Sequence, residues 1–433
     1  MLFPRRKFVQ LSTLFLLGAC GAQTTTNTGS STGQTTVGGK SKIVFWTMQL
    51  KPQFDAYMAG LISAFVKQNP NAEVEWVDVP WGEMENKILS SFAARTTPDV
   101  VNLNPQFATK LAEKKALVDM AIAASAEEQA SYFPNIWKAN QLEGVTFGLP
   151  WYVATDVTIY NRDLFQKAGL DPNKPPKTFA ELALASEQIK AKTGKYAFLL
   201  TMDGGQVLES MVQMGMNLFS NGTKAGFNDA AGKAAFEYWV NLFDKQLIPR
   251  EILTEGHRKA VELYQAGEIA ILLTGPQFLQ MVSQNAPDIY KVTDVSTQIT
   301  GATGKKSAAV MNVVVPNSSS NPVNKDLAIK FALFLTNSQN QLEFSKVENS
   351  LPSTIKTAAD PYFAKLGDKA NVLDRARVIS ASQLPQSEVL IPPVKDLEKL
   401  RKIIYEELQL AMLKEKPTDQ AIASAAERWN SLS

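Results

Sequence analysis

From Ile43 to Leu103 the chain alternates between short runs of β-forming residues and stretches with apolar side chains at helical spacing. Ile43-Val44-Phe45-Trp46 reads as a strand, after which Phe54, Tyr57, Met58, Leu61 and Phe65 share one helical face. Val74 to Val79 reads as a second strand beyond the turn Asn69-Pro70-Asn71. A helix around Met84, Ile88, Leu89 and Phe92 breaks near Pro98, and Asp99 to Leu103 is a third strand. Strand, helix, strand, helix, strand is the order of a parallel sheet with helices on its faces, so this part of the body is expected to be α/β.

A second series starts near Val157-Thr158-Ile159-Tyr160. It continues through a helix from Phe179 to Ile189, an extended run Tyr196 to Leu200, helices around Val207 to Leu218 and Lys233 to Phe243, and the run Ala270 to Thr274. Ala308 to Val315 then returns as a strand, followed by a helix from Lys325 to Leu335. Late helices carry Leu397, Leu400, Ile404 and Leu408, then Ile422, Ala425 and Trp429, stripes that belong to core. A chain of 433 residues exceeds what one core supports, so two domains are expected.

The net charge of +2, with Lys and Arg interspersed among Asp and Glu, argues against a nucleic-acid surface or a polybasic membrane patch. The one cysteine, Cys20, rules out a disulfide within the chain, so burial must stabilise both domains. It follows Arg5-Arg6-Lys7, a short apolar run ending Leu14-Phe15-Leu16-Leu17, and Gly18-Ala19, the layout of an export signal too short to span a bilayer. Gly21 to Lys40 is almost wholly small and polar, which reads as a flexible tether.

The inventory for covalent chemistry is thin. With His257 the only histidine, Ser-His-Asp and Cys-His mechanisms and multi-histidine zinc sites are excluded, and His257 itself reads as a solvated or capping residue. A carboxylate-pair glycoside hydrolase stays open as an alternative, with Asp203 and Glu209 or Glu268 as the pair; so does an adhesive lipoprotein. No loop has the acidic spacing of a calcium site, and no metal or cofactor is expected.

Several local patterns occur together in order: Lys42-Ile43-Val44-Phe45-Trp46, Phe65 to Pro70, Thr97 to Val101, Gly148-Leu149-Pro150-Trp151-Tyr152, Ile159 to Phe165, Pro175 to Phe179, Tyr264 to Ala270 before Thr274-Gly275-Pro276, and Ser350-Leu351-Pro352-Ser353. With them the chain resembles family 1 of the bacterial extracellular solute-binding proteins, the carbohydrate receptors of ATP-driven importers. Leu17-Gly18-Ala19-Cys20 likewise resembles a lipobox, which implies cleavage before Cys20, its acylation, and a body tethered outside the cytoplasm.

The resemblance implies a two-lobed periplasmic-binding-protein type II fold, each lobe a mainly parallel sheet flanked by helices, hinged around a ligand cleft. The expected division is a signal peptide 1–20, a tether 21–41, lobe one 42–153 plus 308–347, and lobe two 154–307 plus 348–433, with crossings near Val153 to Asp156, Gly304 to Ser307 and Val347 to Asn349. The implied partners are a sugar or sugar-like polyol and membrane permease subunits; a monomer is expected.

A sugar asks for aromatic faces and planar amides or carboxylates at fixed angles. The candidates are residues at strand ends facing the cleft. Trp151 and Tyr152 lead, either stacking on a ring or packing the interlobe strand. Trp46 faces either cleft or core, Gln49 faces the cleft, and Trp81 faces cleft or surface. Asn104 and Gln106 follow the third strand; Asp203 either meets ligand or caps a helix. Gly275 and Gln277, Asn312 and Asn349 complete the set, the two asparagines being as readily structural. Leu50, Leu103, Ala154 and Gln277 stand where maltose-binding proteins carry acidic or aromatic groups, so the maltodextrin site is not reproduced.

Overall fold

The computed structural model describes residues 40–202, 205–318 and 322–432; Cys20, the tether up to residue 39 and Asp203 lie outside the described residues. The first strands and helices form where the pattern places them: β1 (Ser41–Met48), α1 (Asp55–Gln68), β2 (Ala72–Val79), α2 (Met84–Ala94) and β3 (Val100–Leu103). The α1 helix buries Met58, Leu61 and Phe65 along one face. Asn104 then starts α3 (Pro105–Glu113): its Oδ1 accepts from Phe107 N at 2.8 Å, and Pro105 supplies a preset φ at the first helical position.

The chain leaves this half through β4 (Leu149–Thr155) and, after Asp156, enters β5 (Val157–Asn161). Beyond it come α4 (Phe179–Thr193), α5 (Gln206–Gln213), α6 (Ala230–Asp244), β6 (Ile271–Thr274) and β7 (Thr293–Thr297). It returns through β8 (Lys306–Val314), α7 (Pro322–Leu335), α8 (Ser338–Glu348) and β9 (Leu351–Pro352), and ends with α9 (Val372–Gln383), β10 (Ser387–Glu388), α10 (Leu397–Met412) and α11 (Thr418–Asn430).

The large sheet runs β9-β4-β8-β3-β1-β2, with β10 beside β8. The β1 strand is parallel to β2 and β3, whereas β8 is antiparallel to both β3 and β4 because it enters from the other half. The small sheet, β6-β5-β7, is antiparallel at both of its pairings, not mainly parallel as expected. The reason lies at Tyr196 to Leu200: this run, buried from Ala197 onward, meets the chain entering β6 only at its start, by a parallel bridge between Tyr196 and Ile269 and a bond from Ile271 N to Ala197 O at 2.7 Å, so it adds no strand to the sheet.

Separate cores hold the two halves. One covers the large sheet with Phe45, Phe65, Trp151, Phe331 and Phe344. Another, built on Phe198, Phe236, Trp239, Leu272, Ile404 and Trp429, fills the small-sheet half. The third crossing falls later than the expected Val347–Asn349: Leu351 pairs with Val153 in the large sheet, and Phe363 packs with Ile136 and Val153, so the chain still belongs to the large half there. The α9 helix makes the passage, with Val372 and Ala376 in the small-sheet core and Ala381 against the junction. Among the described residues, no helix is long and apolar enough to cross a membrane.

Candidate functional site

Alternation along the crossing strands decides what faces the gap between the halves. In β4, Trp151, Val153 and Thr155 are buried, while Tyr152 and Ala154 keep surface, as does Asp156 beyond the strand's end. In β8, Ala309 is exposed and Met311 part-buried; Ala309 stands opposite Ala154, and Met311 opposite Tyr152. An exposed side chain on an interior strand means open space above it. The other edge of β8 pairs with β10 at Lys306 and Ser307 and with β3 from Asn312 onward; among the described residues no strand covers the stretch between. The floor of the gap is therefore open over Ala154 and Ala309, beside an open strand edge; Met311 and Tyr152 bound it at the bulge opposite Trp151, where Tyr152 packs 5.3 Å from Phe344.

The walls come from both halves. Gln106, Thr109, Lys110 and Glu113 of α3 face Asp396 and Glu398 at the start of α10 across a space of about 110 Å3. Glu113 Oε1 accepts from Asp396 N at 2.9 Å, so a carboxylate of one half caps a helix of the other. Glu398 also lines a groove of about 500 Å3 that runs along α10 past Arg401, Lys402 and Tyr405 to Met202.

At the junction itself Asp156, Gln206, Glu209, Gln213, Gln298 and Ser307 surround a cavity of about 30 Å3, enough for a water molecule. Burial, with the neighbouring Glu209 adding to it, pushes the Asp156 carboxyl up to about 7. Burial likewise raises Glu209, against a hydrogen bond from Ser307. At the end of α8 burial also raises Glu348 to about 7. Burial lifts the Tyr152 phenol, with Glu348 as a second cause.

The sequence candidates divide. Gln49 and Trp81 come together: Gln49 sits exposed at φ 56° after β1, its Oε1 accepts from Trp81 N at 3.4 Å, and Trp81 is 43% exposed. Gln106 faces the gap, and Tyr152 bounds its floor. Asn104 is in place, but its Oδ1 is spent on α3. Gln277 follows β6 and folds its amide back toward Gly275, where a methyl group would come within 2.2 Å of Oε1 unless the glutamine side chain moved away.

Four candidates are corrected. Trp151 is fully buried, stacked on Phe344 at 4.6 Å, in the large-half core. Trp46 is 9% exposed and packs among Met48, Val79, Met84 and Ile88, with Lys87 Nζ 4.8 Å from its ring centre. Asn312 is fully buried between β3 and β4, its carbonyl taking a bond from Asn102. Asn349 is the left-handed cap of α8, at φ 63°. Residues the candidate set missed are Asp156, Gln206, Met311, Glu113 and Arg401; Asp156 was discoverable from its period-two spacing to Tyr152.

A gap between two separately cored halves, floored by their crossing strands, is the geometry of a solute receptor, and the model of bacterial extracellular solute-binding proteins matches residues 49–342. The chain belongs to that family. It is a binding protein that works outside the cytoplasm, not an enzyme. A periplasmic-binding protein of Synechococcus sp. MITs9220, provisionally assigned to oligosaccharides and solved with zinc, is 36% identical; the match covers 90% of this chain and 98% of that one, with a TM-score of 0.84. The galactooligosaccharide-binding protein of Bacillus subtilis is 24% identical over 83% of each chain. The sn-glycerol-3-phosphate-binding periplasmic protein of Salmonella paratyphi A is also 24% identical, over 90% of this chain and 92% of that one. Among the described residues, no group of three or more His, Cys, Asp or Glu side chains converges as a metal would need.

Proposed function

We propose that this chain captures a sugar or sugar-like polyol in the gap over Ala154, Ala309, Met311 and Tyr152, and delivers it to the permease of an ATP-driven importer. The open shelf on the interior strands carries this reading, and the oligosaccharide assignments of relatives support it. A sugar ring would set its apolar C–H face on the alanines and methionine. Its hydroxyls would meet Gln106, Asp156, Gln206 and Gln277, with the Gln49 and Trp81 pair at the rim. Lipid attachment at Cys20 would hold the receptor near the membrane, and the two halves, 42–153 with 308 to about 365 and 157–300 with 372–432, would hinge at the crossings.

A thermal-shift screen over mono-, di- and oligosaccharides, polyols and glycerol phosphodiesters tests this. One class should raise the melting temperature, with about 2.7 kcal/mol of added stability at a hundredfold excess over its dissociation constant. If none does, the sugar reading fails.

The bond from Asp396 N to Glu113 joins the halves and favours the closed arrangement. Glu113→Ala is expected to weaken affinity about fivefold, near the worth of one helix cap, and Glu113→Gln to weaken it less, as measured by calorimetry.

A further inference from the structure

Both crossing segments and α9 meet in one polar cluster. Gln298 Oε1 accepts from Ser307 N at 2.7 Å, and Gln298 Nε2 donates to Ser307 O at 3.2 Å. Gln298 N donates to Gln383 Oε1 at 2.9 Å, and Gln383 Nε2 donates to Asp156 O at 3.1 Å. Thr155 and Ser380 hydroxyls lie 2.7 Å apart. Asp156 thus sits where the chain changes halves, while Glu209 belongs to α5 of the small-sheet half and accepts from Ser307 Oγ of the returning strand at 2.8 Å. Any rotation of one half against the other acts on these bonds.

Two carboxyls share this small cavity, and the charges nearby are engaged elsewhere. From β8, Lys306 bonds Gln386 at 3.0 Å, and just before it Lys305 pairs with Glu388 at 3.2 Å. On α9, Arg375 pairs with Asp294 and Arg377 with Asp374. Arg162, after β5, also pairs with Asp294. The α5 helix offers Glu209 alone, and the segment at Gln298 and Ile299 carries no charge. His257, bonded to Thr274 at 3.1 Å, and Glu348 on α8 are titratable groups of neighbouring elements outside the cavity lining. Gln206 adds a buried Oε1 without a hydrogen-bond partner to the same walls. Asp156 and Glu209 are both half-buried on the walls of one water-sized space, and among the described residues no cation lines it, so their charges repel each other and one carboxyl retains a proton.

We propose that the Asp156–Glu209 pair is a proton-linked hinge clasp: the packed junction holds a proton in its cavity, and loosening the junction admits water and releases it. This rests on the hinged-receptor reading, and its consequence is that proton uptake favours the packed hinge. The sign follows from the raised carboxyl of Asp156. Its contribution is complete below the ordinary aspartate value of 3.8, declines as pH climbs, and is gone above about 7.

The test needs no solute. Spin labels at Lys67→Cys and Lys192→Cys, exposed positions on α1 and α4, report the separation of the halves in a Cys20→Ser background. Between about pH 5 and pH 8 the packed-to-loosened ratio should fall with rising pH, by at most about tenfold per pH unit for one proton, and level off near neutrality. Asp156→Asn with Glu209→Gln should flatten the profile, while Glu348→Gln and His257→Gln should leave it intact. A wild-type profile without pH dependence overturns the proposal, as does a dependence that survives in the Asp156→Asn, Glu209→Gln double variant. A protein that fails the sugar screen but shows the carboxyl-dependent profile loses the sugar and keeps the clasp.

Discussion

Trp151→Ala is expected to cost about 3–5 kcal/mol of stability, and to affect solute binding only through loss of folded protein. The indole is fully buried, stacks on Phe344 with the rings 21° from parallel, and lies 6.4 Å from Phe45 and 5.2 Å from Tyr152, centre to centre. Truncation removes one of the largest side chains in the core and leaves a cavity that the three surrounding rings cannot fill by small shifts. Trp151→Phe should recover most of the loss, because it keeps a ring against Phe344 and discards an indole Nε1 that is buried without a partner. Urea unfolding measures both: the midpoint should fall sharply for alanine at an unchanged slope. A ligand-induced melting shift that vanishes in Trp151→Ala while its unfolding midpoint stays at the wild-type value would return this residue to the binding site.

Trp151 shows why the fold was more legible than the site. The α1 face at Met58, Leu61 and Phe65 contrasts with polar neighbours, so helical periodicity finds it. Leu149-Pro150-Trp151-Tyr152-Val153-Ala154 is apolar on both faces, and a period of two without contrast cannot say which residues point into the core and which into the gap. The answer comes from α8, distant in sequence, whose Phe344 covers Trp151. Asn312 misled for the opposite reason: a polar residue inside an apolar run suggests a cleft, yet β3 and β4 close over it on both sides. Gln49 and Trp81 could be placed side by side because each lies within two residues of a strand end, a place fixed by topology. Asp156 had the right spacing, but its partner Glu209 lies on a helix of the other half, and nothing local announces the pairing.

Ala309→Trp should abolish solute binding while leaving the fold intact. Ala309 is exposed although its strand is interior, and it faces Ala154 across the β4–β8 pair. An indole there occupies the shelf on which a sugar ring would rest. Surface substitutions away from strained or buried features usually change stability by less than about 0.5 kcal/mol, so unliganded melting should stay close to wild type. Whichever sugar raises wild-type melting should then produce no shift, a loss of at least about a hundredfold in affinity, or about 2.7 kcal/mol. Ala309→Ser, which adds one small polar group, should retain binding within about tenfold. Together these variants separate steric occlusion from misfolding. An undiminished shift in Ala309→Trp would place the solute elsewhere, for instance in the groove of about 500 Å3 along Arg401 and Tyr405.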